Sequence, residues 1–129
     1  MDAAEVTRRF LAAFSAADFD TMRELLAPDL TAYVTNAQGG VDVVEGRDGY
    51  LNRVEAMDLP AARFSVELTQ PPVEAGGGQV LAMVAVHAER GDRTLENYAA
   101  HLLRVEGDAI TEWRMADAKP AESDAFWAS

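Results

Sequence analysis

The second half of the sequence contains the feature that most constrains the fold: two long strand-like segments on either side of Gly91 and Asp92. Segments 80–90 and 93–105 are rich in Val, Leu and Ala, and a Gly-Asp pair between two such runs is typical of a β-hairpin with a two-residue turn. Such a turn fixes the hairpin register, because the residues that flank the turn pair with each other and every other pair follows.

The hairpin register divides the side chains between an inner and an outer face of the predicted sheet. Val84 and Val86 are apolar and mark the inner face. Asn97 and His101 fall on this face as well, whereas His87 falls on the outer face. The chain contains two histidines and no cysteine, so a site built from two histidines or from thiolates is not expected, and we predict that no metal is bound.

The first half of the chain has the periodicity of amphipathic helices. In segment 3–17 the apolar residues, Phe10 and Phe14 among them, recur on one helical face. A second, short helix is expected to begin after Asp18 or Asp20, both good N-cap residues, and to end before a proline.

The remaining segments complete an α+β pattern. Further strands are expected at 30–36, 41–44, 64–68 and 110–117, a third helix at about 48–57, and a short tail from Pro120 that ends in Phe126 and Trp127. The order is helix, helix, strand, helix and then a run of antiparallel strands. This order predicts an α+β fold with helices packed on one face of a curved antiparallel sheet, in a single domain over residues 1–129.

The last strand adds aromatic and acidic residues to the inner face. Trp113, Met115 and Asp117 alternate with more polar neighbours, which predicts that they face inward. A three-residue loop at 106–108 pairs His101 with Trp113 and keeps the inner face continuous, whereas a two-residue loop breaks this agreement and is rejected. Asp117 then lies about 13 Å from the partner of His101 at the rise of a strand.

The predicted inner face is apolar apart from His101, Asn97 and Asp117. Burying a polar group without a partner costs about 1–3 kcal/mol, so each of the three requires a hydrogen bond or a function. His101 is the best candidate for acid/base chemistry, because the free pKa of histidine lies near neutral. The alternative is a core histidine satisfied by a backbone carbonyl or a tyrosine.

The charge balance excludes several classes of partner. The chain has 11 basic and 22 acidic residues and a net charge of −11, which repels phosphate backbones and anionic lipid headgroups, so neither nucleic acid nor a membrane is an expected partner. The acidic opening segment lacks the apolar core of a signal peptide, and a cytoplasmic location is expected. Four apolar side chains fall on the outer face and predict a homodimer through it: Leu81, Met83, Tyr98 and Leu102.

Three segments resemble a known superfamily. They are 6–26 with its Ala-Asp-Phe-Asp linker, the Glu-Gly-Arg-Asp-Gly-Tyr run at 45–50, and the hairpin at 102–110. The chain resembles the nuclear-transport-factor-2-like superfamily, and most closely its SnoaL-like and ketosteroid-isomerase-like branches. The resemblance implies a cone of sheet and helices that encloses an apolar pocket, usually in a homodimer. Such folds host isomerases, cyclases, dehydratases, hydrolases and binding domains.

The resemblance also implies a role for Asp117. Segment 113–117 is similar to the final-strand pattern of SnoaL-like cyclases, in which an aspartate near this point acts as the acid/base. The alternative is a strand-end aspartate that caps the tail or pairs with Arg114 or Lys119.

The departures from ketosteroid isomerase are equally informative. The tyrosine, carboxylate base and second aspartate of that enzyme type fall on Phe10, Val34 and His101 of this chain. The base is therefore missing, with Tyr33 and Asn36 flanking its position. Epoxide hydrolysis is not supported either, because no Asp-Arg-Asp group assembles on the predicted inner face.

We therefore predict a pocket for a small hydrophobic ligand and a cofactor-independent isomerase, cyclase or dehydratase acting on a hydrophobic ring or polyketide-like substrate. The alternative is a non-catalytic ligand-binding or dimerisation module. The catalytic residues would be His101 and Asp117. The residues predicted to contact the substrate are Asn97, Trp113, Met115, Phe10, Phe14, Tyr33, Val84 and Val86.

Overall fold

The computed structural model describes residues 1–128 of the chain. In chain order its elements are α1 (Ala3–Ser15), α2 (Phe19–Leu25), β1 (Leu26–Thr35), β2 (Val41–Glu45), α3 (Arg47–Glu55), β3 (Ser65–Leu68), β4 (Val73–Gly76), β5 (Gln79–Arg90), β6 (Arg93–Glu106), β7 (Ala109–Asp117) and α4 (Pro120–Trp127). None of the helices within this range has the length and apolar character needed to cross a membrane.

The strands form one curved, unclosed sheet with the order β2-β1-β7-β6-β5-β3, and β4 pairs with β5 beside β3. Neighbouring strands are antiparallel except β1 and β7, which are parallel. Helix α1 packs against β3, β5 and β6, and α3 packs against β1. The predicted α+β fold, with helices on one face of a curved sheet, is confirmed.

The N-terminal helices begin where side chains cap them. Asp2 accepts a hydrogen bond from the Glu5 backbone N–H at 2.8 Å, and Asp18 caps α2 by accepting from the Thr21 backbone N–H at 3.2 Å. These bonds satisfy N–H groups that lack partners within the helix. Strand β1 begins earlier than predicted and contains Pro28, and its pairing with β7 is interrupted there because proline has no N–H to donate.

The β5–β6 hairpin has the predicted register. Arg90 pairs with Arg93, and His101 pairs with Ala82. His87 therefore lies on the face opposite His101, as predicted.

The β6–β7 connection differs from the prediction. A two-residue turn joins Glu106 to Ala109, not a three-residue loop, and Gly107 in that turn has a φ of 62°. The register shifts after the turn because Thr111 is an extra residue in β7, which is the geometry of a β-bulge. His101 consequently pairs with Met115 rather than with Trp113. The faces are unchanged, since the shift equals two residues.

Two elements were absent from the sequence prediction. Strand β4 is exposed along its whole length, so it has no alternating pattern to reveal it. The tail from Pro120 is the helix α4, whose Phe126 is buried in a small cluster with Ala62, Ala88 and Leu95. Proline at the first helical position is favourable because its missing N–H would have no partner there.

The outer face of the sheet carries the apolar residues that the hairpin register placed there. Tyr98 is 60% exposed, and Leu81 and Met83 are each 37% exposed. Leu102 is half-buried between Leu81 of β5 and Arg114 of β7.

Candidate functional site

A cavity of about 220 Å³ lies between the inner face of the sheet and helices α1, α3 and α4. Most of its lining is apolar, with Val34, Val86 and Met115 among the residues contributed by the strands. The lining residues that are exposed to solvent, Arg53 of α3, Tyr98 of β6 and Asp124 of α4, mark its mouth.

The structure places seven of the ten predicted site residues on this cavity: Phe14, Val86, Asn97, His101, Trp113, Met115 and Asp117. Phe10 and Val84 are on the predicted inner face but lie in the closed core, at 0% and 1% exposure. Tyr33 is on the outer face, where the Arg114 guanidinium lies 4.0 Å from its ring centre. Its neighbour Val34 lines the cavity instead, so the predicted cavity positions of Phe10, Val84 and Tyr33 are corrected.

His101 lies at the inner end of the cavity and is 4% exposed. Its Nδ1 accepts a hydrogen bond from Trp113 Nε1–H at 3.2 Å, and the two rings meet edge to face with centres 4.9 Å apart. Burial lowers the pKa of His101 to about 4, because a charged imidazolium loses its hydration there. The imidazole is therefore neutral at neutral pH.

Tyr50 of α3 also lies at the inner end, and sequence reasoning missed it. Its ring packs edge-on against Trp113 with centres 5.1 Å apart, and it is 2% exposed. The Tyr50 hydroxyl is buried and has no hydrogen-bond partner within residues 1–128. Burial raises the pKa of this hydroxyl well above its usual value. The spacing of Tyr50 and Val54 on one face of α3 was the signal available in the sequence.

We call Tyr50, His101 and Trp113 the inner cluster. A second group, which we call the rim cluster, consists of Asn97, Asp117 and Ser123 near the mouth. The two groups share one cavity but differ in how their polar atoms are used.

Asn97 holds the rim cluster together. Its Nδ2 donates to Asp117 Oδ1, to Ser123 Oγ at 2.8 Å and to the Lys119 carbonyl at 3.4 Å. Its Oδ1 accepts from the Tyr98 backbone N–H at 2.8 Å. Asn97 is 3% exposed, so protein groups use its amide and it links β6 to β7 and α4.

Asp117 is half-buried, and hydrogen bonds hold only one of its two carboxylate oxygens. Oδ1 accepts from Asn97 and from the Lys119 backbone N–H at 2.8 Å, so Asp117 caps the tail. The carboxylate bonds found within residues 1–128 all use Oδ1, which leaves Oδ2 for a ligand or solvent. Because of the two-residue turn and the bulge together, Asp117 is two positions from Met115, the partner of His101, or about 7 Å along the strand rather than the predicted 13 Å.

The cavity also includes a guanidinium and a further carboxylate, both engaged at its mouth. Arg53 donates to Asp42 at 3.1 Å, and Asp124 accepts from the Ala37 backbone N–H at 2.9 Å. Neither bond involves Asp117. Arg53 and Asp124 are thus tied to the loop and strand beside β1 rather than to a shared reactive centre.

The sequence model of SnoaL-like domains matches residues 7–113 of the chain. An uncharacterized protein of Mycobacterium tuberculosis is 29% identical over 127 residues, which span 96% of this chain and 95% of that protein.

Solved structures show the same architecture. Bal32a, from a soil-derived mobile gene cassette, has a TM-score of 0.82 at 21% identity and covers 97% of this chain and 95% of its own. A protein of Jannaschia sp. CCS1 described as a SnoaL-like polyketide cyclase has a TM-score of 0.77 at 15% identity, covering 98% and 92%. An LEH-like epoxide hydrolase of Mycobacterium tuberculosis has a TM-score of 0.74 at 23% identity, covering 89% and 81%. These similarities establish the fold.

Proposed function

Because the chain belongs to the SnoaL-like domain family, we propose that it is a cofactor-independent enzyme that moves protons on a compact, hydrophobic ring substrate, in an isomerisation, cyclisation or dehydration. The observation that supports this function best is a carboxylate with one fixed and one available oxygen on the wall of an apolar cavity. A polar group placed among apolar walls is the usual arrangement of a small-molecule site.

The size of the cavity favours a small substrate. An apolar cavity of about 150 Å³ binds benzene. In proportion, the cavity of about 220 Å³ suits a ligand of roughly nine non-hydrogen atoms. We therefore propose a substrate of one or two rings rather than a large polyketide.

Asp117 is the proposed proton-transfer group. With Oδ1 held by Asn97 and the Lys119 backbone, Oδ2 is positioned to take a proton from an acidic C–H bond of the ligand. The electron pair of that bond moves into the ligand, and the same oxygen then returns the proton to the same or another carbon. A positioned acid/base of this kind contributes about 10²- to 10⁴-fold to a rate.

A non-catalytic ligand-binding module is the second candidate. The satisfied amide of Asn97 and the Trp113–His101 hydrogen bond favour it, because both use polar atoms of the cavity for structure. In either case we propose a homodimer through the outer face around Tyr98, Leu81 and Met83, where exposed apolar side chains cluster.

The test is hydrogen exchange in deuterated water with a panel of one- and two-ring compounds that carry acidic C–H bonds. We expect the wild-type protein to catalyse deuterium incorporation into at least one compound, and Asp117→Asn to lower that rate at least about 100-fold. Asp92→Asn, in the exposed β5–β6 turn, is the matched control and should leave the rate unchanged. Binding without exchange in the wild type would favour the binding module.

A further inference from the structure

The buried amide of Asn97 fixes the positions of two oxygens near the mouth of the cavity. Its Oδ1 accepts from the Tyr98 backbone N–H at 2.8 Å, so the other end of the amide must be the Nδ2 donor. Nδ2 donates to Asp117 Oδ1 and to Ser123 Oγ. Two oxygens bonded to one nitrogen lie no more than about 6 Å apart. Asp117 and Ser123 are therefore neighbours on the wall of the cavity, which both line.

The Ser123 hydroxyl has a proton to donate. Its oxygen is the acceptor for Asn97 at 2.8 Å, and because an amide N–H cannot accept, the hydroxyl proton must point away from Asn97. No protein group within residues 1–128 accepts this proton. Ser123 is half-buried, so its proton is left for a ligand in the cavity or for solvent.

Asp117 supplies the complementary acceptor. Its Oδ1 is used by Asn97 and by the Lys119 backbone N–H, so Oδ2 remains. A ketone can accept from Ser123 but has no proton for Asp117. An ammonium group can donate to Asp117 but has no lone pair for the Ser123 proton. A hydroxyl group has both a proton and lone pairs, so it matches both residues.

The neighbouring aromatic side chains hold a ring where its edge reaches this pair. Ser123 and Trp127 are four residues apart and lie on the same face of α4. The Trp127 ring packs against that of Phe64 with centres 6.1 Å apart, and both rings line the cavity. A ligand ring that packs on Trp127 therefore has its edge beside Ser123, where a substituent on the ring can form hydrogen bonds.

We propose that Ser123 is a specificity-determining residue, and that Ser123 Oγ–H and Asp117 Oδ2 together bind a hydroxyl group on the ring of the ligand. The ligand oxygen accepts from Ser123, and its proton is donated to Asp117. The site rests on the proposed function and names its substrate class, a hydroxylated ring compound. One lone pair of Oδ2 binds the hydroxyl, and the second remains for a C–H bond of the same ring.

Four compounds with one bicyclic skeleton are the probes: indane, and methoxyindane, aminoindane and indanol substituted at the same aromatic carbon. Indane has no polar substituent, the methoxy group only accepts, the uncharged aromatic amine mainly donates, and the hydroxyl does both. We expect the wild-type protein to bind indanol most tightly, by roughly 3- to 10-fold over methoxyindane and over aminoindane, the value of one neutral hydrogen bond. Isothermal titration calorimetry measures the four affinities.

Ser123→Ala removes the donor alone. We expect it to weaken the binding of indanol and methoxyindane roughly 3- to 10-fold and to leave the binding of indane and aminoindane unchanged. Ser123→Thr keeps a hydroxyl and should retain the preference for indanol. Ser65→Ala, which lies on the outer face opposite His87, is the matched control and should change none of the affinities.

The outcomes separate the site from the proposed function. Equal affinity for the four probes, or no binding of any of them, would overturn the site. An equal loss for all four probes in Ser123→Ala would show that Ser123 only supports α4, and would overturn its role in specificity. A preference for indanol without hydrogen exchange would overturn the proposed enzyme and keep the site, whereas hydrogen exchange without that preference would overturn the site and keep the enzyme.

Discussion

The inner cluster and the rim cluster share one cavity and use their polar atoms in opposite ways. In the rim cluster the Asn97 amide bonds to Asp117, Ser123 and the backbone of β6. In the inner cluster the Tyr50 hydroxyl has no partner within residues 1–128, and His101 uses one ring nitrogen of two. The polar atoms of the rim are therefore used for structure, apart from Oδ2 of Asp117, whereas the inner end contains a buried hydroxyl without a partner within the described residues.

This difference predicts how variants in the two clusters affect stability. The hydrogen bonds of Asn97, which is 3% exposed, are formed with protein groups and stabilise the fold. The Tyr50 hydroxyl is buried without a partner within residues 1–128, which destabilises the fold.

The largest effect is expected from Trp113→Ala. Trp113 contacts Phe10, Phe14, Tyr50 and His101 in the core, and its removal leaves a cavity and an unpaired His101 Nδ1. We expect the free energy of unfolding to fall by about 3–5 kcal/mol, measured by urea denaturation. Trp127→Ala, at the half-buried end of α4, is the control near the mouth and should lose less. An equal loss of unfolding free energy in the two variants would contradict the expectation that the inner cluster contributes more to stability than the mouth of the cavity.

The next effect is the pH dependence of stability that comes from His101. Its folded pKa of about 4 lies below the unfolded value of 6.5, so the unfolded chain binds the proton first as the pH falls. The contribution of His101 is complete above pH 6.5 and is lost as the pH falls towards 4. A difference of this size corresponds to about 3 kcal/mol.

His101→Gln isolates this contribution from those of the carboxylates. Between neutral pH and about pH 4, the wild type should lose about 3 kcal/mol more unfolding free energy than His101→Gln. Tyr50→Phe retains the His101 imidazole, so its unfolding free energy should depend on pH in the same way as that of the wild type. Parallel curves for wild type and His101→Gln would show that the pKa of His101 is the same in the folded and unfolded chain, which would contradict the effect of burial on this imidazole.

The sequence predicted the inner cluster in part, because it revealed the register of the β5–β6 hairpin but not that of β6 and β7. Gly91 and Asp92 determine the β5–β6 register, which placed Asn97 and His101 on the inner face correctly. The two-residue turn at 107–108 and the bulge at Thr111 each move the β6–β7 register by one residue. An alternating pattern does not reveal this change, because a total shift of two residues keeps every side chain on its face. The pairing of His101 was therefore wrong although its orientation was right.

Long-range packing explains what the sequence could not supply. The Tyr50 hydroxyl is notable only because no acceptor surrounds it, and its surroundings come from α3 packed over the sheet. The engagement of Asn97 with Ser123 depends on α4, which has a weak apolar periodicity of its own and was expected as a tail.

A smaller effect is expected from Asn97→Ala in the rim cluster. The variant removes the donor to Asp117 and Ser123 and frees α4 from β6. We expect a loss of about 1–3 kcal/mol with faster amide exchange in α4, measured by mass spectrometry. Asn52→Ala, on the exposed side of α3, should change stability by less than about 0.5 kcal/mol. Unchanged exchange in α4 would show that other contacts hold the helix.

The smallest effect, and the sharpest contrast between the clusters, is the stability of Tyr50→Phe. Removing a buried hydroxyl that has no partner eliminates an unfavourable group and leaves the ring contact with Trp113 in place. We expect the free energy of unfolding to stay the same or to rise by up to about 1 kcal/mol, whereas Asn97→Ala lowers it. Urea denaturation of both variants in the same buffer measures the two unfolding free energies. A loss of 1 kcal/mol or more in Tyr50→Phe would mean that the hydroxyl has a hydrogen-bond partner in the folded protein, and the two clusters would then not differ in how they use their polar atoms.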